Sequence, residues 1–286
     1  MRALIFLISV NSLLLFSCKN DIQKSDIIIY NATIWTGNSN QPKAESFAIK
    51  GDSIIAIGNN GDIEKYKGKN TKLINANGKF ISPGFIDAHV HLLMGGNSLL
   101  NVELRNIKSK EEFTDKISSF TKTLEKGTWI QEGNWDHTLW GGELPNKDWI
   151  DNETKDNPVA VYRIDGHMIL ANSAALKIAG IDKNSPNVEN GEIVRNADGT
   201  PTGILKSEAM YLVLNKIPPL TKKLKKEAIR VAQDYLLSNG ITSIHDVDSL
   251  GSFSILKELK TANKLKIRVY NATRLHKWEV VNTEKS

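Results

Sequence analysis

Apolar and polar positions change rhythm more than once along this chain. Residues 4–16 are almost wholly apolar and follow a short basic start, Met1-Arg-Ala. From Asp26 to Pro83 the apolar residues come in short β-branched runs broken by turn residues. Asp26 to Gly37 contains a turn at Asn31, and Ser46 to Gly51 meets Ser53 to Gly58 around a Gly51-Asp52 hairpin. Thr71 to Ile74 and Lys79 to Ile81 follow, and runs of this length and composition predict strands. Beyond Pro83 the pattern predicts strands alternating with helices. The strands are Phe85 to His89, Trp129 to Gly133, Pro158 to Arg163, Ile241 to Val247 and Leu265 to Tyr270. The helices are Ser109 to Leu124, opened by the capping box Ser109-Lys-Glu-Glu112, then Asn172 to Ile178, Thr221 to Leu237 and Phe253 to Ala262. In the longest helix Leu224, Ala228, Val231, Ala232 and Tyr235 share a face at three- and four-residue spacing, and Gly240 suits the left-handed position past its end.

Such alternation predicts parallel β/α units, in which reactive residues collect at the carboxyl ends of strands. The chain has six histidines, and four of them (His89, His91, His167 and His245) fall at or near predicted strand ends. The others are His137 and His276. His89 and His91 are one residue apart, so both rings project from one strand face. Neutral imidazole is a natural zinc ligand. Taken alone the pair fits a hydrogen-bonded surface couple as well as a metal site. Asp87 on the same face and the buried strand entry before it favour metal.

The amino terminus bears on compartment. Its apolar run is too short to span a bilayer and reads as a secretory signal. The run ends in Leu15-Phe16-Ser17-Cys18, which resembles the bacterial lipobox. The expected organisation is a lipoprotein signal peptide over residues 1–17, a lipidated Cys18 opening a polar tether over 18–25, and membrane attachment through the lipid. An uncleaved hydrophobic anchor is the alternative. Lys19 stands where a retention aspartate would hold such a protein at the inner membrane, so the expected address is the cell envelope at the bacterial outer membrane. Cys18 is the only cysteine, which excludes a disulfide framework or thiolate metal site. The net charge of +5 is modest, and the cluster Lys222, Lys223, Lys225 and Lys226 lacks interleaved aromatics. It reads as a solvated helix face, and no nucleic acid is expected as a partner.

Five blocks then carry a specific resemblance. They are Ile81 to His91, Gly133 to Asp136, Arg163 to Leu176, Gly199 to Met210 and Gly240 to Asp246. In this order they resemble the amidohydrolase superfamily, in particular the amidohydrolase-3 group of formamide deformylases and YtcJ-like hydrolases. The resemblance implies an α/β fold, a metal-dependent hydrolase (β/α)8 TIM barrel over residues 84–286 with a small β-sandwich portion over 26–83. It implies Zn2+ or another divalent metal, one or two ions, held by His89 and His91 and by Lys206 as a carbamate. A free lysine ammonium has no lone pair for a cation, and without the resemblance Lys206 reads as a surface lysine. His167 and His245 are implied as catalytic, with loop and strand packing as their structural alternatives. Trp135, Arg163 and Asp165 are implied to line the substrate pocket, although aromatic core packing would equally explain Trp135.

The implied reaction is hydrolysis of a non-peptide carbon–nitrogen bond in a small-molecule amide or formamide, with water activated by metal. After Asp246 only His276 follows, without the later histidines and aspartate of the superfamily. The barrel is therefore expected to be incomplete at its carboxyl end and the isolated chain inactive, unless a homo-oligomer supplies the absent wall. A noncatalytic envelope-binding lipoprotein that keeps part of the fold is the competing expectation.

Overall fold

The structure is a computed structural model that describes residues 22–248 and 251–272. Cys18 and His276 lie outside the described residues. Among the described residues no helix is long and apolar enough to cross a membrane. The chain divides at Pro83/Gly84 into two compact units.

The first unit holds β1 (Ile27–Tyr30), β2 (Thr33–Trp35), β3 (Lys43–Ala44), β4 (Ser46–Lys50), β5 (Ser53–Gly58), the short helix α1 (Asn60–Ile63), β6 (Lys72–Asn75) and β7 (Phe80–Ile81). Asn31 takes the left-handed conformation at φ 55° and splits the first apolar run into β1 and β2. This split sends the two strands to different sheets, one ordered β5-β4-β1-β6 and the other β3-β2-β7. The hairpin at Gly51-Asp52 forms as the sequence predicts, pairing β4 with β5 from Ser46↔Gly58 to Lys50↔Ser53. Ile28, Ala48 and Ile63 make one small core; Ala32, Ile34, Ala44 and Phe47 make another.

The second unit contains β8 (Phe85–Val90), α2 (Leu92–Leu99), β9 (Val102–Glu103), α3 (Lys110–Thr121), β10 (Glu132–Trp135), α4 (Asp151–Thr154), β11 (Ala160–Arg163), β12 (Met168–Ala171) and α5 (Ser173–Ala179). It continues with β13 (Gly191–Arg195), β14 (Pro201–Ser207), α6 (Tyr211–Leu214), α7 (Lys222–Ser238), β15 (Ile241–Asp246), α8 (Ser252–Thr261) and β16 (Arg268–Asn271). Two sheets result, a parallel one ordered β16-β15-β8 and a six-stranded one ordered β13-β14-β12-β11-β10-β9.

The second sheet corrects the expected run of parallel β/α units. β9, β10 and β11 are parallel, but β12 returns antiparallel to β11, and β14 is antiparallel to both β12 and β13. The reason lies in burial. Val159 and Val161 enter one core with Leu170 and Ile204, while Ala160 enters another with Ile169, Ala171 and Leu205. A sheet covered on both faces gives continuous apolar runs whatever its strand directions, and such runs read like parallel-barrel strands.

Around the parallel sheet, α2, α7 and α8 bury Leu92, Leu93, Ala228, Ile229, Ala232, Leu236, Ile255 and Leu256 against Ile244 and Ile267. The buried face of α7 is turned from the predicted one, because Ala228, Ile229, Ala232 and Leu236 are inside while Leu224 and Tyr235 are exposed. Thr221 caps α7 by accepting a hydrogen bond from Leu224 N. α2 lies close against α7 at Gly96, where a β-carbon would sit 2.0 Å from the Ala228 carbonyl oxygen.

Candidate functional site

β8 and β15 run side by side, with Ile244 opposite Asp87 and Asp246 opposite Val90. Their carboxyl ends therefore lie together. His89 and His91 are both exposed there, with ring centroids 5.4 Å apart and planes at 68°. The His89 N–H donates to Asp87 Oδ1 at 3.1 Å. On the neighbouring strand His245 is also exposed, its ring 5.1 Å from that of Tyr270 on β16.

The end of β8 is held by two carboxylates that the sequence reading did not assign to it. α2 starts directly at His91, and its first turn carries neither a capping side chain nor an acidic residue. Helix N–H groups left in that state must find acceptors elsewhere. Asp246, fully buried, accepts from Leu92 N at 3.1 Å, and Asp248 accepts from Met94 N at 2.8 Å. The signal for this was present in the sequence as an uncapped helix start, His91-Leu-Leu-Met94.

A cavity of about 410 Å³ opens beside His91, with Val90, Asn101, Glu103, Arg105 and Tyr235 among its lining residues. This volume lies in the range of small-molecule sites.

The remaining expected site residues lie on the six-stranded sheet. Lys206 is placed by β14 opposite Met168 and Glu192, and its Nζ pairs with Glu192 at 2.8 Å. It therefore lies in a mixed sheet, between two antiparallel neighbours. Trp135, expected to wall the pocket, is wholly buried and donates from Nε1 to the Val161 carbonyl at 2.9 Å. Its ring is part of the core. Arg163, Asp165 and His167 form the turn between β11 and β12. Asp165 accepts from His167 N at 3.0 Å and from Arg163 Nη1 at 2.6 Å, while Gly166 takes φ 71°. The turn thus employs the carboxylate of Asp165 twice, and the His167 ring is left exposed.

Close to this turn, burial and the Arg163 guanidinium push the His137 imidazole below its ordinary pKa. His137 Nδ1 and Arg163 Nε are both buried without a hydrogen-bond partner. Burial raises the carboxyl of Glu132 on β10, which accepts a hydrogen bond from Asn97 Nδ2 of α2 at 3.3 Å. Glu132, Gly133 and Asn134 have φ 62°, 94° and 59°, three consecutive residues in a region that costs a side-chain-bearing residue energy.

The donor chemistry at His89 and His91 fits a divalent ion in part. Two exposed imidazoles on adjacent alternating positions offer nitrogen ligands, yet among the described residues no group of three or more His, Cys, Asp or Glu side chains could hold a metal. Structural zinc sites have four ligands and catalytic ones three from the protein. The pair supplies part of such a set.

The profile of the Amidohydrolase family matches residues 72–286. Protein LONG AFTER FAR-RED 3 of Arabidopsis thaliana is 39% identical over 78% of this chain and 38% of its own length. The putative amidohydrolase YtcJ of Bacillus subtilis is 35% identical over 65% of this chain and 35% of its own. The crystal structure of an uncharacterized metal-dependent hydrolase from Pyrococcus furiosus superposes with a TM-score of 0.66 at 25% identity, covering 90% of this chain and 52% of that one. The chain spans little more than a third of the length of the two curated relatives.

Proposed function

The chain belongs to the amidohydrolase family, and from that premise we propose that it contributes the first metal ligands of a hydrolase acting on non-peptide carbon–nitrogen bonds of small amides or formamides. The observation that carries this reading is the His89–His91 pair, edge to face at the carboxyl end of a strand in a parallel sheet, within the span matched by the family. In this reading β8, β15 and β16 with their helices are part of a (β/α)8 barrel.

His89 and His91 would supply ring nitrogens to a divalent ion. A bound ion of this kind supplies Lewis acidity toward water and a carbonyl oxygen. His245, exposed on the adjacent strand, takes a proton from the attacking water and returns it to the leaving nitrogen, which departs as the amine. Proton transfer by a positioned side chain is typically worth about 10² to 10⁴-fold in rate. The cavity beside His91 receives the substrate, and Arg105 and Tyr235 on its wall offer polar contacts to it. In this reading Lys206 keeps its part-exposed ion pair with Glu192 and supplies no ligand.

The test is hydrolysis of a panel of amides, N-substituted formamides and cyclic imides by the purified full chain. For a chain that spans little more than a third of its curated relatives' length, turnover that disappears on chelation and returns with Zn2+ is expected only where a second copy completes the site, and the chain alone should bind Zn2+ with little or no turnover. Turnover unchanged by exhaustive chelation would remove the metal from the reaction.

A further inference from the structure

We propose that Asp246 and Asp248 are positioning residues for the metal-binding histidine His91, acting through the start of α2. The inference rests on the reading of His89 and His91 as metal ligands.

Asp246 is fully buried at the carboxyl end of β15, and its two oxygens are saturated from four directions. Oδ1 accepts from Leu92 N and Asp248 N, each at 3.1 Å. Oδ2 accepts from Ser252 Oγ and Asn271 Nδ2, each at 2.8 Å. One carboxylate therefore joins the start of α2 to α8 and to β16. Asp248, two residues on and just past β15, accepts from Met94 N at 2.8 Å, so two of the first three N–H groups of α2 end on carboxylates at or just beyond the end of β15.

The arrangement matters at His91 because that residue is the last before the helix. Its backbone, at φ −98° and ψ 82°, is not helical, and its side chain makes no cap. Nothing local in sequence sets where α2 begins, whereas Leu92, its next neighbour, is fixed by Asp246 across 154 residues of chain. Val247 N donates to Val90 O at 2.8 Å, which pins the other neighbour of His91 to the same strand. His91 is thus clamped on both sides by β15. A metal ligand must be held to within roughly 0.5 Å, and groups that hold ligands in place typically alter metal affinity about 10 to 100-fold when removed.

The experiment is titration of the full chain with Co2+, following its ligand-field absorption, and with Zn2+ by competition, at a temperature where each variant is folded by circular dichroism. Four variants are compared with the wild type: His89→Ala/His91→Ala, Asp246→Ala, Asp248→Ala and Ser252→Ala. Ser252→Ala removes a bond to Asp246 but none to α2, and so reports general loosening. The expected result is loss of binding in the double histidine variant and affinity weakened about tenfold or more in the aspartate variants. Ser252→Ala should bind as the wild type does. If Asp246→Ala does not fold, Asp248→Ala carries the comparison. Wild-type affinity in the aspartate variants, or equal weakening in Ser252→Ala, overturns the inference while leaving the histidine assignment intact. Unchanged binding in the double histidine variant overturns the metal reading itself, and the inference with it.

Discussion

On the parallel sheet His89, His91 and His245 present exposed rings at strand ends, whereas on the six-stranded sheet, the exposed His167 ring apart, the side chains of comparable promise are already engaged by the protein. Lys206 pairs with Glu192, Asp165 serves its own turn and Arg163, and Trp135 is buried on a backbone carbonyl. The difference is one of free valence. A ligand can be recognised only by groups that folding leaves unsatisfied or solvated, and buried polar groups are costly unless paired within the protein. On the first sheet the buried carboxylate of Asp246 spends all its acceptors on backbone and side-chain donors around the histidines, and the rings themselves stay open.

The comparison is broken most forcefully at Trp135. Trp135→Ala should cost about 3–5 kcal/mol of stability in denaturant unfolding, as expected for removal of a fully buried large aromatic. In whatever fraction remains folded, substrate KM should be unchanged. A variant of wild-type stability with a raised KM would return the indole to the substrate pocket and erase the contrast between the sheets.

A smaller effect sharpens the contrast at Glu132. Burial raises its carboxyl pKa in the folded chain, so the folded state holds that proton more tightly than the unfolded state does. The associated stability is fully present below the unfolded pKa and is lost as pH rises through the raised folded value. Glu132→Gln should remove this contribution, giving a flatter fall of stability with rising pH in urea unfolding followed from acid to neutral. An unaltered slope would show that Glu132 is solvated and not a buried group of the sheet.

Much of the local structure was legible because it depends on neighbours in sequence. Asn31 breaks the first run, Thr221 caps α7, and Gly240 takes the left-handed position beyond it at φ 77°. Ser109 caps α3 as the motif predicts, although Glu112 reaches Lys108 N and not the cap residue's own N–H. Strand direction was not legible. Pro158 to Arg163 has the apolar density of a barrel strand, and the Asp165-Gly166 turn that reverses it lies unmarked between that predicted strand and the helix predicted from Asn172. β12, β13 and β14 were consequently missed, and with them the true surroundings of Lys206. At the candidate site the His-x-His pair was plain from strand periodicity, but the partners that steady it are 154 residues distant from Leu92 and Met94. An uncapped helix start could announce that acceptors were needed; it could not say which residues would supply them.

The central claim, that metal belongs to the parallel sheet and not to the six-stranded one, is tested most directly by metal content. Purified full chain, His89→Ala/His91→Ala and Lys206→Ala would be loaded with Zn2+, desalted and analysed by elemental mass spectrometry. The account predicts metal lost from the histidine variant and retained at the wild-type ratio in Lys206→Ala, whose exposed ion pair should cost no more than about 1 kcal/mol of stability. Metal lost from Lys206→Ala, or retained in the histidine variant, would contradict it.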